Sequence, residues 1–243
     1  MIKTMIFATF LLLTLLLTTK ATAEDYSFIG KAYDLDSNEL LYTEHHTYTS
    51  PTIHKVEYKE PNGNVFATKI INYENSFFSP NFILKNNKNG ETINVKKEDE
   101  KFILKYRESN KSSINTNIVE DSSTLVIDAG FDNFIKRKWK TLISGKSISV
   151  NYLIPSQGDS YKLILKKVNC DNPNNYCFSI SASSFFIRIF SSELKLTYSQ
   201  YSNQYSQSTK NNNYRLTSFK GRTNISDSKG NYQDAHIRYQ FPF

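Results

Sequence analysis

Residues 128–145 read DAGFDNFIKRKWKTLISG, and the way this stretch is taken decides the fold. Phe131, Phe134, Ile135, Trp139, Leu142 and Ile143 recur at steps of three and four, which places them on one face of a 3.6-residue helix. Lys136, Arg137, Lys138 and Lys140 fall largely on the other face. Asp128 or Asp132 can act as N-cap by accepting a hydrogen bond from an unpaired amide, and Gly145 can take the left-handed conformation that ends a helix. An apolar face with three aromatic rings needs a surface to bury against, and the flanking segments are the only candidates. The expectation is one continuous helix seated in the hollow of a curved sheet.

Those flanking segments read as strands. Downstream, Ile148, Val150, Tyr152 and Ile154 alternate with Ser147, Ser149, Asn151 and Leu153, the period of a half-buried strand. Upstream, residues 54–58 and 65–73 flank Glu60-Pro61-Asn62-Gly63-Asn64, where Asn-Gly supplies the positive φ angles of a tight hairpin turn. Phe77, Phe78 and Phe82 around Pro80 suggest a strand interrupted at a sheet edge. Residues 92–95 and 102–107 continue the pattern across a charged loop, KKEDEK. Residues 161–169 and 177–184 form a further hairpin, 185–190 and 194–198 further strand, and 214–225 with 233–241 a last hairpin; residues 198–213 are a polar, tyrosine-bearing insertion. That makes about a dozen strands and one helix. An antiparallel sheet of this size curls or closes to manage its edges. The expected fold class is mostly β, a curved antiparallel sheet or (half-)barrel with one amphipathic helix packed on it, forming a single domain over residues 24–243.

Residues 1–23 have the form of a signal peptide: Lys3 at the start, an apolar run over residues 6–17, and Ala21-Thr22-Ala23 as a small-residue cleavage site. The apolar run is short of the ~20 residues a membrane helix needs, and no later segment is long enough, so no transmembrane span is expected after cleavage. The expected location is the periplasm or the exterior. Export disfavours nucleic acid as a partner, and the net charge of +7 over 243 residues permits an anionic envelope partner without requiring one. Cys170 and Cys177 are separated by Asp-Asn-Pro-Asn-Asn-Tyr, a turn composition that brings hairpin ends together, so a structural disulfide is expected there.

One strand carries unusual chemistry. Over residues 40–48, Tyr42, Glu44, His46 and Tyr48 share a face, so Glu44 and His46 point the same way between two tyrosines. Inside a cavity such a pair can hold a ligand head group or move a proton; on a solvated face it is an ordinary ion pair. His45 belongs to the opposite face, and His54 to the following turn or strand. Lys69, between Thr68 and Ile70, has the ordinary reading of a snorkelling surface residue. No GxSxG, HExxH, P-loop or GxGxxG motif is present and the four histidines are not grouped for a metal, so neither metal nor cofactor is expected.

Gly130-Phe131-Asp132-Asn133-Phe134, Trp139, SISVNYLIP over residues 147–155 and LTSFKGRTNISDSKGNYQDAHIRY over 216–239 resemble a family of uncharacterised exported β-rich proteins of Gram-negative bacteria. Tyr42-Thr43-Glu44-His45-His46, Val56-Glu57-Tyr58 and Phe66-Ala67-Thr68-Lys69 resemble it too, so the resemblance spans most of the chain beyond the leader. It implies no activity. More distantly, strands followed by a helix and strands again are similar to periplasmic lipoprotein-carrier half-barrels, in which helices cover a cavity for acyl chains; that analogy concerns fold alone. The leading expectation is a non-enzymatic periplasmic binding or carrier protein for a hydrophobic or lipid-like ligand, with Tyr42, Glu44, His46, Lys69, Phe131, Ile135 and Trp139 as candidate ligand-binding residues. The alternatives are an envelope scaffold with a protein partner, and a hydrolase or transferase built on Glu44 and His46 with Lys69 and Tyr42.

Overall fold

In a computed structural model, which describes residues 27–182, 194–201 and 214–242, fifteen strands form one sheet. The first eight follow one another as a meander: β1 (Phe28–Asp34), β2 (Leu40–Tyr48), β3 (Ile53–Lys59), β4 (Val65–Asn72), β5 (Asn81–Asn86), β6 (Thr92–Glu98), β7 (Lys101–Arg107) and β8 (Asn115–Glu120). Then come β9 (Leu125–Ile127), helices α1 (Gly130–Arg137) and α2 (Trp139–Ile143), and β10 (Ile148–Ile154), β11 (Asp159–Val168), β12 (Asn175–Ala182), β13 (Leu194–Gln200), β14 (Tyr214–Ser226) and β15 (Tyr232–Gln240). β1 pairs antiparallel with both β2 and β15, so the chain's first and last strands lie side by side within the sheet. The free edges are therefore β8 and β9. β9 and β10 are parallel, because the two helices lie between them. The sheet is curved and does not close.

A seam replaces closure. Ile127 N–H donates to the Phe78 carbonyl at 2.9 Å, and Ser79 Oγ donates to the Leu125 carbonyl at 2.6 Å, so β9 docks on the loop that leads into β5. Gly130 follows directly: a Cβ there would lie 2.0 Å from the Phe78 carbonyl oxygen, a contact that only glycine avoids. This seam sets the start of α1 over the inner face of β4.

The continuous helix expected over residues 128–145 is two short ones, broken at Lys138 (φ −93°, ψ 9°). Phe134, Ile135, Trp139 and Leu142 are buried, Phe131 is half-buried, and Ile143 is 36% exposed rather than docked. Neither aspartate caps α1, whose N-cap is Ala129. Asp128 adopts φ 43° and turns its carboxylate to Lys69, while Asp132 sits inside the first turn and accepts from Lys136 at 2.7 Å and from Tyr198 OH at 2.8 Å. Tertiary ion pairing has displaced local capping. Gly145 does take the left-handed conformation, at φ 85°.

Other sequence expectations shift as well. The Asn62-Gly63 hairpin forms, with Gly63 at φ 91°. Phe77 and Phe78 lie outside any strand, and β5 is flanked by β4 and β6 rather than lying at an edge. Pro80 immediately precedes β5, where its missing N–H costs no ladder bond. The KKEDEK stretch is strand at both ends, with only a tight turn at Asp99, φ 53°. β8, NTNIVE, is exposed almost throughout and carries too few apolar residues to show a strand period. Cys170 and Cys177 form a disulfide, Cα atoms 5.4 Å apart, at the mouth of the β11–β12 hairpin. Residues 1–23, 185–190 and 202–213 lie outside the described residues. No helix among the described residues is long and apolar enough to cross a membrane.

Two apolar clusters make up the core. One runs along the inner faces of β2 to β7, with Val56, Tyr58, Ile71, Leu84, Phe102 and Leu104 among its members. The other packs Phe134, Ile135, Trp139 and Leu142 against Leu163, Phe178, Leu196 and Tyr198 of β11 to β13.

Candidate functional site

Strand alternation, read across neighbouring strands, builds the site. On β2 it turns Tyr42, Glu44 and His46 inward, and on β3 His54, Val56 and Tyr58. The β2–β3 register sets His46 opposite Val56 and Tyr48 opposite His54, so His46 and His54 are diagonal neighbours on one face. β4 continues the same row, with Lys69 opposite Val56 and Ile71 opposite His54. These strands, α1 and the inner faces of β13 to β15 bound a cavity of about 900 Å³.

Its polar wall has two parts. In the first, Glu44 Oε2 lies 3.2 Å from His46 Nε2, and His46 Nδ1 lies 3.0 Å from His54 Nε2. All three side chains are buried. Burial foremost, then the neighbouring His46 and Lys69, pushes the His54 pKa down to about 3, so this imidazole is neutral at pH 7. His46 thus bridges the Glu44 carboxylate and the His54 ring, one ring nitrogen on each. His54 Nδ1 has no hydrogen-bond partner among the described residues. Gly30, opposite Glu44 on β1, makes room for the carboxylate: a Cβ there would lie 3.0 Å from Glu44 Oε2 and 2.9 Å from the Tyr239 ring. In the second part, Lys69 Nζ donates to both carboxylate oxygens of Asp128, at 2.8 and 3.1 Å, and Asn224 Nδ2 donates to Asp128 at 3.2 Å. Lys69 is 1% exposed, so it is no snorkelling surface residue. Its charge is neutralised by a residue 59 positions away.

Among the candidate residues, Glu44, His46, Lys69 and Phe131 line the cavity. Tyr42, Ile135 and Trp139 do not. Tyr42 packs in the core, its ring 6.0 Å from Tyr58 and 6.2 Å from Phe66. Trp139 stacks on Tyr214 at 4.2 Å and meets Phe178 and Tyr198 edge-on, and Ile135 is fully buried beside it in the second cluster. Of the groups a hydrolase or transferase would use, Glu44 and His46 meet and Lys69 is engaged by Asp128, while Tyr42 is outside the cavity lining, its hydroxyl pKa raised by burial and then by the nearby Glu44 carboxylate. The cavity also takes in His54, Asp128 and Arg215, which the sequence reading left aside. His54 was legible from its place beside Val56 and Tyr58 in the alternation of β3. Arg215 was not, because nothing in the order of residues tells which face of β14 turns inward at its first residues.

No family model matches the chain, and no curated protein matches it. A solved structure described as a β-barrel-like protein of domain of unknown function DUF1849, from Brucella abortus, is similar to it with a TM-score of 0.47 and 10% sequence identity, covering 89% of this chain and 96% of that one. At that score the likeness carries nothing about function.

Proposed function

We propose that this is an exported, non-enzymatic binding or carrier protein for a hydrophobic or lipid-like ligand, working in the periplasm or outside the cell. The observation that carries the reading is the cavity of about 900 Å³, in the upper part of the range for small-molecule sites. Its wall combines Phe28, Val56, Ile71, Leu153 and Phe219 with a few placed polar groups, the mixture expected where an apolar body is held and a polar end is oriented. A scaffold, the main alternative, called for a filled interior with a large exposed apolar patch; this interior keeps an open volume. The disulfide agrees with an oxidising compartment.

The test is native mass spectrometry with lipid extraction on protein purified from an exporting host. A co-purifying apolar molecule, released by mild activation, is the expected result. A clean unliganded mass, together with no uptake of an apolar fluorescent probe, overturns the carrier reading and leaves the scaffold ahead.

A further inference from the structure

The cavity has one polar rim of a distinct kind. From β14 to β3, flat side chains stack in an unbroken series: the Arg215 guanidinium lies 4.4 Å over the Phe241 ring, Phe241 stacks on Phe28 at 5.1 Å, and Phe28 stacks on His46 at 4.0 Å. His46 then lies 5.1 Å from His54, and His54 stacks on Tyr48 at 4.3 Å. All six side chains line the cavity, and Tyr48 is 48% exposed.

Among the described residues, charge is not balanced along this rim. Of the lysines and arginines that line the cavity, Lys69 pairs with Asp128, Lys136 with Asp132 and Arg222 with Asp234. Arg215 forms no ion pair with any carboxylate of the described residues; its partners are the Phe241 ring and the Tyr201 ring at 5.4 Å. Its Nε is buried and has no hydrogen-bond partner among the described residues, and the same holds for His54 Nδ1 farther along the rim. A guanidinium set over an aromatic ring, with its buried Nε unpaired among the described residues at the wall of a cavity, is suited to recognise a carboxylate or phosphate.

We propose that this rim is the head-group subsite for an anionic amphiphile, with the Arg215 guanidinium binding the carboxylate or phosphate head while the apolar tail fills the cavity below. This rests on the carrier reading and adds the sign of the head group and its anchor. Lys69, already neutralised by Asp128, contributes no free charge.

The experiment is isothermal titration calorimetry of the full chain beyond the leader with dodecanoate, dodecyl phosphate, dodecanol, acetate and inorganic phosphate. The two anionic amphiphiles are expected to bind tighter than dodecanol by on the order of tenfold, the range of one charge-assisted hydrogen-bonded contact. Whichever of the two binds tighter identifies the head. Arg215→Gln should collapse that preference to within about twofold, and Arg215→Lys, which keeps the charge but loses the fork, should retain part of it. Near-UV circular dichroism verifies that each variant is folded. Dodecanol binding as tightly as the anions, a preference that survives Arg215→Gln, or tight binding of inorganic phosphate alone would overturn the head-group assignment and leave the cavity reading standing. Failure of all three amphiphiles to bind would overturn both.

Discussion

Breaking the Lys69–Asp128 pair should unlatch the two halves of the molecule. The pair links the middle of β4 to Asp128, two residues before α1, with side chains 2% and 13% exposed. At 2.8 Å and an effective dielectric of about 20, the Coulomb attraction is roughly 6 kcal/mol, and most of it offsets the desolvation of the two ions. Removing one partner forfeits the attraction while the other ion stays largely out of water. Lys69→Met should therefore destabilise the protein by about 3 kcal/mol, and Asp128→Asn by a similar or larger amount because it strands the more deeply buried lysine. Asparagine tolerates the positive φ of 43° at position 128, so backbone strain does not confuse the comparison. For a chain of this size, about 3 kcal/mol corresponds to a fall in Tm of roughly 6–12 °C. The double variant, with no stranded charge, should be no worse than either single one. The assay is urea unfolding of the wild type, both singles and the double, read as a double-mutant cycle. A coupling of about 2 kcal/mol or more is expected, and a coupling below about 0.5 kcal/mol refutes the account of a buried latch.

Two further perturbations follow from the site and the seam. His54 has a folded pKa of about 3 against an ordinary value of 6.5, so between those values the unfolded chain binds more protons than the folded one. Its contribution to stability is complete above about pH 6.5 and is lost as pH falls towards 3, by at most ~1.4 kcal/mol per pH unit. Thermal melts from pH 4 to 8 should show that slope, and His54→Phe should flatten it; an unchanged slope would mean that His54 is not held neutral. Gly130→Ala would place a methyl group against the Phe78 backbone. It should cost about 1–3 kcal/mol in urea unfolding, and a loss below about 0.5 kcal/mol would show that the β9 seam yields easily.

Local periodicity carried much of the architecture. Alternation on β2 and the Asn62-Gly63 turn each depend on neighbours a few residues apart, and each appears in the fold; β10 forms as a strand too, but its alternation breaks where Leu153 and Ile154 are both buried. β8 was missed for the converse reason, since an exposed edge strand needs no apolar alternation. The site was half legible. Glu44 and His46 share a face by the two-residue period alone, whereas bringing His54 to 3.0 Å from His46 requires the β2–β3 register.

The order of residues by itself determined a mostly β chain, a polar pair on one strand face, the amphipathic face of residues 131–142 and the Cys170–Cys177 closure, because each is written in short-range spacing. Only the tertiary structure decided that Lys69 is buried on Asp128, that the helix breaks at Lys138, that Trp139 belongs to the core rather than to the cavity, and that Arg215 lies over the Phe241 ring. Those outcomes turn on which strands meet across the sheet and which charges find partners tens of residues away, and neither is encoded in local spacing.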